Sequence, residues 1–232
     1  MNISEQVAFV TGANRGLGLQ LTLELLSRGA KVYAGARNPE TIDIPGVIPV
    51  KLDITNPQEV AAAAILAKDV TLLINNAGSS TGASLLEGDV EKIQLEFDTH
   101  FFGTLSMVRS FAPVIEKNGG GSILNILSAL SWFSSGTAGA YTAAKAAAWA
   151  LTNDLRLNLY PHNVRVAGLH VGFMETDMTT GIDVPKSNPA DIAKIAIDGI
   201  ESGSFEIIAD DTSRMIQGGL AGGVPALYPQ LS

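Results

Sequence analysis

The 232-residue chain contains no cysteine, which excludes disulfide bonds, thiolate metal sites and a cysteine nucleophile. It has no apolar run near the roughly 20 residues that a membrane-spanning helix needs. Residues 1–5 show no basic region followed by an apolar stretch, so no signal peptide is visible. Positive charge is scarce, and the net charge of -8 argues against a nucleic-acid-binding surface. We therefore expect a cytoplasmic protein without membrane or nucleic-acid partners.

Short apolar runs alternate with helical patterns along most of the chain. Such runs fit parallel strands that are buried on both faces. They occur at residues 7–10, 31–35, 47–52, 70–74, 122–127, 164–169 and 205–208, and helical spacing is clearest at 58–67, 90–116, 139–159 and 189–200. This alternation predicts an α/β fold with a seven-stranded parallel sheet, doubly wound with helices on both faces. We see no domain boundary in residues 1–232, and the pattern gives no assignment for residues 210–232.

A glycine-rich turn follows the first predicted strand directly and opens a helix. It reads Thr11-Gly12-Ala13-Asn14-Arg15-Gly16-Leu17-Gly18. Glycines permit a tight turn and let the backbone approach a pyrophosphate, while the helix N-terminus offers free N–H groups to the anion. The spacing is G-x-x-x-G-x-G, which differs from the commonest dinucleotide-binding pattern, G-x-G-x-x-G. The alternative is a strand–helix turn without a ligand.

Two arginines bear on the choice of dinucleotide. Dehydrogenases selective for NAD usually place an acidic residue after the second strand, where it binds the ribose 2′-hydroxyl. This chain has Ala36 and Arg37 there, and Arg15 supplies a second cation. A guanidinium pairs with a 2′-phosphate through two parallel hydrogen bonds. The prediction is NADP(H), and the alternative is that both arginines are solvated surface charges.

A tyrosine and a lysine lie one helical turn apart in an alanine-rich segment. Tyr141 and Lys145 project from the same helix face, and Ser128 lies upstream. A free tyrosine has a pKa of roughly 10, and a neighbouring cation is expected to lower that pKa. A serine hydroxyl can orient a carbonyl oxygen against the phenol. The three groups indicate proton transfer in a carbonyl/alcohol interconversion; the alternative is an exposed tyrosine beside a solvated lysine.

Taken in order, these motifs resemble those of the short-chain dehydrogenase/reductase family, in its short single-domain branch. The resemblance rests on T-G-x-x-x-G-x-G at 11–18, N-N-A-G at 75–78, Ser128 with Y-x-x-x-K at 141–145, and Gly172 and Thr176 of a P-G-x-x-x-T motif. It covers nearly the whole chain. It implies one Rossmann-type domain, with a cofactor half at about residues 1–120 and a catalytic and substrate half at about 121–232.

The resemblance also implies roles for individual residues. Tyr141 would be the general acid in reduction and the base in oxidation, Lys145 would hold the nicotinamide ribose, and Ser128 would steady the substrate oxygen. Hydride would pass directly to the carbonyl carbon, so no metal is expected. The implied cofactor-binding residues are Gly12, Asn14, Arg15, Gly16, Leu17, Gly18, Arg37, Asp53, Ile54, Asn75, Ala77, Gly78, Tyr141, Lys145, Gly172, Met174 and Thr176.

Three of these residues have structural alternatives. Asp53 is either a contact to the adenine or an ordinary turn residue at a strand end. Asn75 either lines the adenine-side ribose or stabilises the central sheet, and both roles are compatible. Thr176 either binds the nicotinamide carboxamide or caps a helix.

The chain departs from the family pattern at two positions. His100 stands where the family has a catalytic asparagine, which helps to hold a water that links the lysine to solvent. Histidine can donate and accept through its ring nitrogens and titrates near neutrality, so His100 is expected to serve this relay. The alternatives are a space-filling histidine and an impaired enzyme. Val171 stands where the family has proline, and we expect it to loosen the nicotinamide wall slightly.

The expected substrate pocket is mainly apolar and is formed by Leu130, Trp132, Phe133, Phe173 and Met178. This lining favours ketones or aldehydes of moderate size and little charge, reduced at the expense of NADPH. The alternatives are a 3-oxoacyl-[acyl-carrier-protein] reductase and an NADP(H)-binding sensor with weak or no catalysis. A homodimer or homotetramer is expected by analogy with the family, with apolar contacts from Phe102, Val108, Trp149 and Leu155.

Overall fold

The computed structural model describes residues 1–231, and its centre is a seven-stranded, all-parallel sheet. The strand order is β3-β2-β1-β4-β5-β6-β7, so the order reverses between β1 and β4. The strands are β1 Val7–Thr11, β2 Lys31–Ala36, β3 Val47–Lys51, β4 Leu72–Asn75, β5 Gly121–Ile126, β6 Val164–His170 and β7 Glu206–Ile208. All seven predicted strands are confirmed. The largest shift is at β4, which begins at Leu72 rather than at residue 70.

Helices cover both faces of this sheet, as the alternating pattern predicted. They are α1 Gly16–Ser27, α2 Pro57–Leu66, α3 Val90–Phe97, α4 Thr104–Lys117, α5 Gly139–Leu159, α6 Pro189–Ser202, α7 Asp211–Gly219 and α8 Gly223–Leu227. On one face, α1 and α6 pack against the sheet through residues such as Leu21 and Ile197. On the other face, α2, α4 and α5 bury Val60, Phe111 and Leu151. The chain therefore forms a doubly wound Rossmann-type fold.

The long helix predicted at residues 90–116 contains a π-helical turn. The segment Asp98–Gly103 has π-helical hydrogen bonding and joins α3 directly to α4. Gly103 ends this turn against Ile54, where an added Cβ would lie 2.8 Å from Cδ1 of the isoleucine. Wider turns of this kind occur mainly at functional sites. Here the turn contains His100.

The C-terminal segment, which the sequence pattern left unassigned, folds back over the carboxyl edge of the sheet. Asp210 caps α7, because its Oδ1 accepts a hydrogen bond of 2.7 Å from the backbone N–H of Ser213. Further along, the ring of Tyr228 stacks on Phe133, with ring centroids 5.2 Å apart. Within residues 1–231, no helix combines the length and apolar character needed to span a membrane.

Candidate active site

One cleft of about 660 Å³ lies beyond the carboxyl ends of the central strands. In open parallel sheets this edge, at the point where the strand order reverses, is where ligands bind. The cleft is lined by the glycine turn, by the loops after β2, β3, β4, β5 and β6, and by part of α7. Its volume is in the range of cofactor and small-molecule sites.

The glycine turn packs too closely on itself and on the loop after β4 to carry side chains at Gly12 and Gly18. Gly12 has φ +65°, and a Cβ at Gly18 would collide with the carbonyl oxygen of Gly12. The Asn76 side chain holds the turn to β4, since its Nδ2 donates to the oxygens of Thr11 at 2.9 Å and Gly12 at 3.2 Å. The predicted residues Asn14, Arg15, Gly16 and Leu17 also line the cleft. The turn therefore fits a pyrophosphate.

The two arginines expected near a 2′-phosphate have different surroundings. Arg15 forms an exposed ion pair with Asp177 at 3.3 Å, which joins the glycine turn to the segment after β6. Arg37 follows β2, is exposed, and makes no hydrogen bond or ion pair with any residue in 1–231. Both line the cleft. Arg37 is therefore the cation that is free to receive an anionic group.

Asp53 and Ile54 lie in the cleft wall as predicted. The carboxylate of Asp53 also closes the turn after β3, because its Oδ1 accepts from the N–H of Thr55 at 2.9 Å and from its hydroxyl at 2.7 Å. The other oxygen of Asp53 makes no hydrogen bond within residues 1–231. Asp53 therefore acts as a turn residue, one of the two roles that the sequence left open. Its second carboxylate oxygen is available for a ligand.

Asn75 stabilises the central sheet, which is one of the two roles that the sequence left open, and it does not line the cleft. It is buried, and its Nδ2 donates to Oδ1 of Asn125 on the neighbouring strand β5 at 2.8 Å. Its position as the last residue of β4 turns it into the sheet. The following residues of the same motif, Asn76, Ala77 and Gly78, do line the cleft.

Trp132 is also placed away from the cleft, in contrast to the other predicted substrate residues. A short 3-10 turn, Ala129–Ser131, directs its indole onto His170, with the rings stacked at 3.6 Å. Both ring nitrogens of the buried His170 contact oxygen atoms. Nδ1 lies 3.2 Å from the carbonyl oxygen of Ser128, and Nε2 lies 2.9 Å from Oε1 of Glu206. His170 is therefore structural, as is the indole that covers it. The remaining predicted residues, Leu130, Phe133, Phe173 and Met178, line the cleft.

Ser128, Tyr141 and Lys145 meet in the middle of the cleft. Ser128 directly follows the β5 edge, and its Oγ accepts from the N–H of Leu130 at 3.1 Å. Lys145 is buried in α5, and its Nζ donates to the carbonyl oxygen of Ile126 at 2.7 Å. The same ammonium lies 5.6 Å from the centroid of the Tyr141 ring. Ser128 and Lys145 are thus held by backbone contacts to β5 and its loop, and Tyr141 is placed by α5 beside both of them.

The pKa of Tyr141 is raised above its ordinary value, whereas the sequence predicted that it would be lowered. Burial raises the pKa of Tyr141 to about 12, and this effect outweighs the opposing interaction with Ser128. Burial lowers the pKa of Lys145 to about 8. The prediction that the lysine brings the pKa of the phenol below its ordinary value is therefore wrong for this structure. Loss of water around the phenolate outweighs the hydrogen bond with Ser128, and the charge of Glu96 raises the pKa further.

Glu96 is a buried carboxylate behind Tyr141 that was not recognised from the sequence. Its side chain has no solvent exposure, and its Oε2 lies 2.8 Å from the hydroxyl of Ser79 and 3.3 Å from Nε2 of His100. Its Oε1 accepts from the N–H of Thr81. Burial alone would raise the pKa of Glu96, but these hydrogen bonds bring it down to about 2. The carboxylate is therefore ionised inside the protein.

His100 lies between Glu96 and Tyr141. Its ring meets the Tyr141 ring edge-on, with centroids 5.2 Å apart, and it is almost fully buried. Burial and the charge of Lys145 lower the pKa of His100, which is therefore neutral at neutral pH. Gly78 leaves the space for this ring, since a Cβ at Gly78 would lie 2.8 Å from Cε1 of the histidine.

The segment after β6 forms another wall of the cleft. The N–H of Gly172 donates to Oδ2 of Asp210 at 2.5 Å, so the residue that caps α7 also fixes this wall. Val171, which stands where the family has proline, is buried. The hydrogen bond between Gly172 and Asp210 restrains its loop, and this restraint could not be seen in the sequence. Met174 and Thr176 line the cleft, and Thr176 begins a 3-10 turn opposite Gly16.

Comparison with known proteins gives three informative relatives. A solved short chain dehydrogenase from Burkholderia cenocepacia, in complex with NADP, superposes with a TM-score of 0.95 and is 41% identical, covering 100% of this chain and 99% of that one. An uncharacterized oxidoreductase of Staphylococcus saprophyticus is 27% identical over 93% of this chain and 100% of its own length. The NADPH-dependent 1-acyldihydroxyacetone phosphate reductase of Schizosaccharomyces pombe is 31% identical over 75% of this chain and 61% of its own length.

The family model for short chain dehydrogenases matches residues 6–186, which contain the glycine turn, the catalytic set and the wall after β6. The all-parallel sheet, with its cleft at the point where the strand order reverses between β1 and β4, agrees with this match. The chain belongs to the short-chain dehydrogenase/reductase family and is an oxidoreductase of that family.

Proposed function

We propose that this protein reduces ketones or aldehydes to alcohols, reversibly and with NADPH, using Tyr141 as the general acid in reduction. The observation that carries the proposal is the meeting of Ser128, Tyr141 and Lys145 in a cleft that also contains a glycine cradle. A cradle without room for side chains suits a dinucleotide phosphate. A half-buried phenol beside a hydroxyl and an ammonium suits proton transfer to a carbonyl oxygen.

NADP(H) fits the residues of the cleft. Gly12, Gly16 and Gly18 would hold its pyrophosphate, Arg37 its 2′-phosphate, and Lys145 and Thr176 its nicotinamide end. When bound, NADPH supplies the hydride for the carbonyl carbon. The unpaired guanidinium of Arg37 supports NADP(H) over NAD(H). The NADP in the Burkholderia structure and the NADPH dependence of the Schizosaccharomyces reductase support the same choice.

The protonation states favour Tyr141 as a proton donor. With a pKa of about 12, the phenol is protonated throughout the physiological range. The Ser128 hydroxyl lies where it can hold the carbonyl oxygen against this phenol. The proton moves from the Oη of Tyr141 to that oxygen as the alcohol forms. A phenolate left behind in this buried site is stabilised by the Lys145 ammonium, which is charged below about pH 8.

The substrate end of the cleft favours compounds of little charge. Leu130, Phe133, Phe173 and Met178 present mainly apolar surface, and α7 adds Ile216. Burial of such surface against a substrate contributes roughly 25 cal/mol per Å². We therefore propose moderately sized, uncharged ketones or aldehydes as the substrate class.

A panel of substrates tests this proposal directly. NADPH consumption would be measured with uncharged ketones, aldehydes and an acetoacetyl thioester, alongside cofactor binding. We expect turnover of the ketones or aldehydes with a higher kcat/KM than that of the thioester. A preference for the thioester would favour a 3-oxoacyl-[acyl-carrier-protein] reductase. NADPH binding without turnover on the whole panel would favour a sensor and contradict the proposal.

We also propose a homodimer or homotetramer, by analogy with the family. Phe102, one of the residues named for the contact, is half-exposed on the π turn, whereas Val108 and Leu155 are buried in the core of the single chain. The indole of Trp149 is bound to Glu206 at 3.2 Å. Of the four residues, Phe102 is therefore the best placed for contact with a second subunit, and sedimentation of the purified protein tests the assembly.

A further inference from the structure

The buried carboxylate of Glu96 has a complete set of donors, all supplied by the neighbourhood of Tyr141. The hydroxyl of Ser79 and the N–H of Thr81 donate to it, and Nε2 of His100 lies 3.3 Å from its Oε2. An ionised carboxylate is costly to bury unless such donors surround it. The inward face of α3 would otherwise be expected to carry an apolar side chain. The anion is thus specifically accommodated at this position.

The contacts of His100 identify which of its nitrogens carries the hydrogen. Nε2 lies 2.9 Å from the carbonyl oxygen of Ser79 and 3.3 Å from Oε2 of Glu96, and both of these atoms can only accept. The N–H of Ser79, a donor, is farther from Nε2 at 3.4 Å. The two closer acceptors therefore place the hydrogen on Nε2. Within residues 1–231, Nδ1 makes no hydrogen bond, and its lone pair stays available on a ring that lines the cleft.

Glu96 also influences the two catalytic groups of α5. Its negative charge adds to the raised pKa of Tyr141 and opposes the lowering of the pKa of Lys145, so it favours the protonated form of both. The titratable groups that face this carboxylate are His100 from the π turn and Tyr141 and Lys145 from α5. The loop at residues 79–81 contributes only hydroxyl and backbone groups.

We propose that Glu96 is a positioning residue of the active site. It holds His100 as the Nε2–H tautomer, with the Nδ1 lone pair available to the cleft and the ring against Tyr141, and it anchors the loop at 79–81 in the same contact. The proposal rests on the proposed function, since it assigns the pair a part in handling the proton of Tyr141. The tautomer itself can be measured without any turnover.

The first test is the nitrogen NMR spectrum of histidine in the intact wild-type protein. The chain has only three histidines, so ¹⁵N-labelled histidine gives a simple spectrum. His162 is half-exposed beside Glu116, and replacement by asparagine would identify its signals. We expect His100 to be neutral, protonated at Nε2 and unprotonated at Nδ1 at neutral pH. A ring protonated at Nδ1, alone or together with Nε2, would overturn the assignment, whether or not a substrate has been found.

The second test compares Glu96→Gln in two backgrounds. In the wild-type background we expect kcat to fall by about tenfold, a small part of the roughly 100- to 10,000-fold that general acid–base catalysis contributes. The negative charge of Glu96 raises the pKa of Tyr141 and of Lys145. In Glu96→Gln this charge is absent, so the reduction rate should begin to fall at a lower alkaline pH than in wild type. In a His100→Asn background, where no tautomer is to be fixed, the loss of kcat should be much smaller.

Glu91→Gln is the matched control, because Glu91 is an exposed residue of the same helix. It should leave kcat and the pH profile unchanged. A different result would show that Glu96 only supports the loop at residues 79–81. In that case Glu96→Gln would lower kcat equally in both backgrounds, raise KM, and leave unchanged the alkaline pH at which the reduction rate falls. That outcome would overturn the proposal for Glu96 and leave the proposed reductase activity intact.

Discussion

At the scale of single residues, the candidate site combines three groups that the sequence identifies with a fourth, Glu96, that was not recognised there. Ser128, Tyr141 and Lys145 follow from motif spacing, and the structure brings them to one cleft. Glu96 was missed in the sequence, although it lies one helical turn before His100 and therefore shares the helix face of that residue. The raised pKa of Tyr141 was missed because burial depends on the tertiary fold.

The charge of Glu96 predicts an acid-sensitive contribution to stability. Its pKa is about 2 in the folded protein against 4.5 ordinarily, so the contribution is complete above about pH 4.5 and is lost as pH falls towards 2. A difference of this size corresponds to about 3 kcal/mol. The free energy of unfolding, measured by urea titration at several pH values, should fall less steeply in this range for Glu96→Gln than for Glu91→Gln. Equal slopes would show that the carboxylate is not stabilised by folding.

We expect single residues to decide the choice between NADPH and NADH as well. Replacing Ala36 by Asp and Arg37 by Ile removes the unpaired guanidinium and adds a charge that repels a 2′-phosphate. We expect the NADPH/NADH ratio of kcat/KM to fall by roughly 10- to 100-fold, the value of a charge-assisted hydrogen bond. Arg109→Ile, at an exposed arginine on α4, is the control and should keep the ratio. An unchanged ratio in the double variant would refute the role of Arg37.

At the scale of elements, the strands are predictable and the π turn is not. Buried parallel strands leave apolar runs in the sequence, whereas Ile93, Phe97, Phe101 and Leu105 keep helical spacing across the π turn Asp98–Gly103. A single wider turn changes the register of the helix without disturbing that spacing visibly. The C-terminal helices α7 and α8 were missed because their apolar residues are few and partly exposed.

The π turn predicts a site that is sensitive to one methyl group. Gly103→Ala would place a Cβ 2.8 Å from Cδ1 of Ile54, an overpacked contact that typically costs about 1–3 kcal/mol. Gly218→Ala is the matched control, since this glycine of α7 has no neighbouring atoms within 4 Å of an added Cβ. Chemical denaturation should show destabilisation only for Gly103→Ala. Equal effects would mean that helix propensity, and not the packing of the turn, governs both positions.

At the scale of the whole molecule, the C-terminal segment completes the substrate end of the cleft. The N–H of Ser134 donates to Oη of Tyr228 at 3.0 Å, and the same ring stacks on Phe133. We expect Tyr228→Ala to raise KM for the carbonyl substrate severalfold with less effect on kcat, because Phe133 loses its support. Tyr228→Phe keeps the ring and should stay close to wild type, as steady-state kinetics will show. A KM that is unchanged in Tyr228→Ala would separate this segment from the substrate site.

In the proposed reaction, the phenol of Tyr141 protonates the carbonyl oxygen of the substrate. Tyr141→Phe in the full chain tests it most directly, with Tyr160→Phe, at an exposed tyrosine, as the control. NADPH affinity and the rate of reduction would be measured on both variants with the best substrate of the panel. We expect Tyr141→Phe to bind NADPH like wild type and to lose at least roughly 100-fold in kcat, while Tyr160→Phe is unaffected. Retained reduction by Tyr141→Phe would contradict the proposed role of Tyr141.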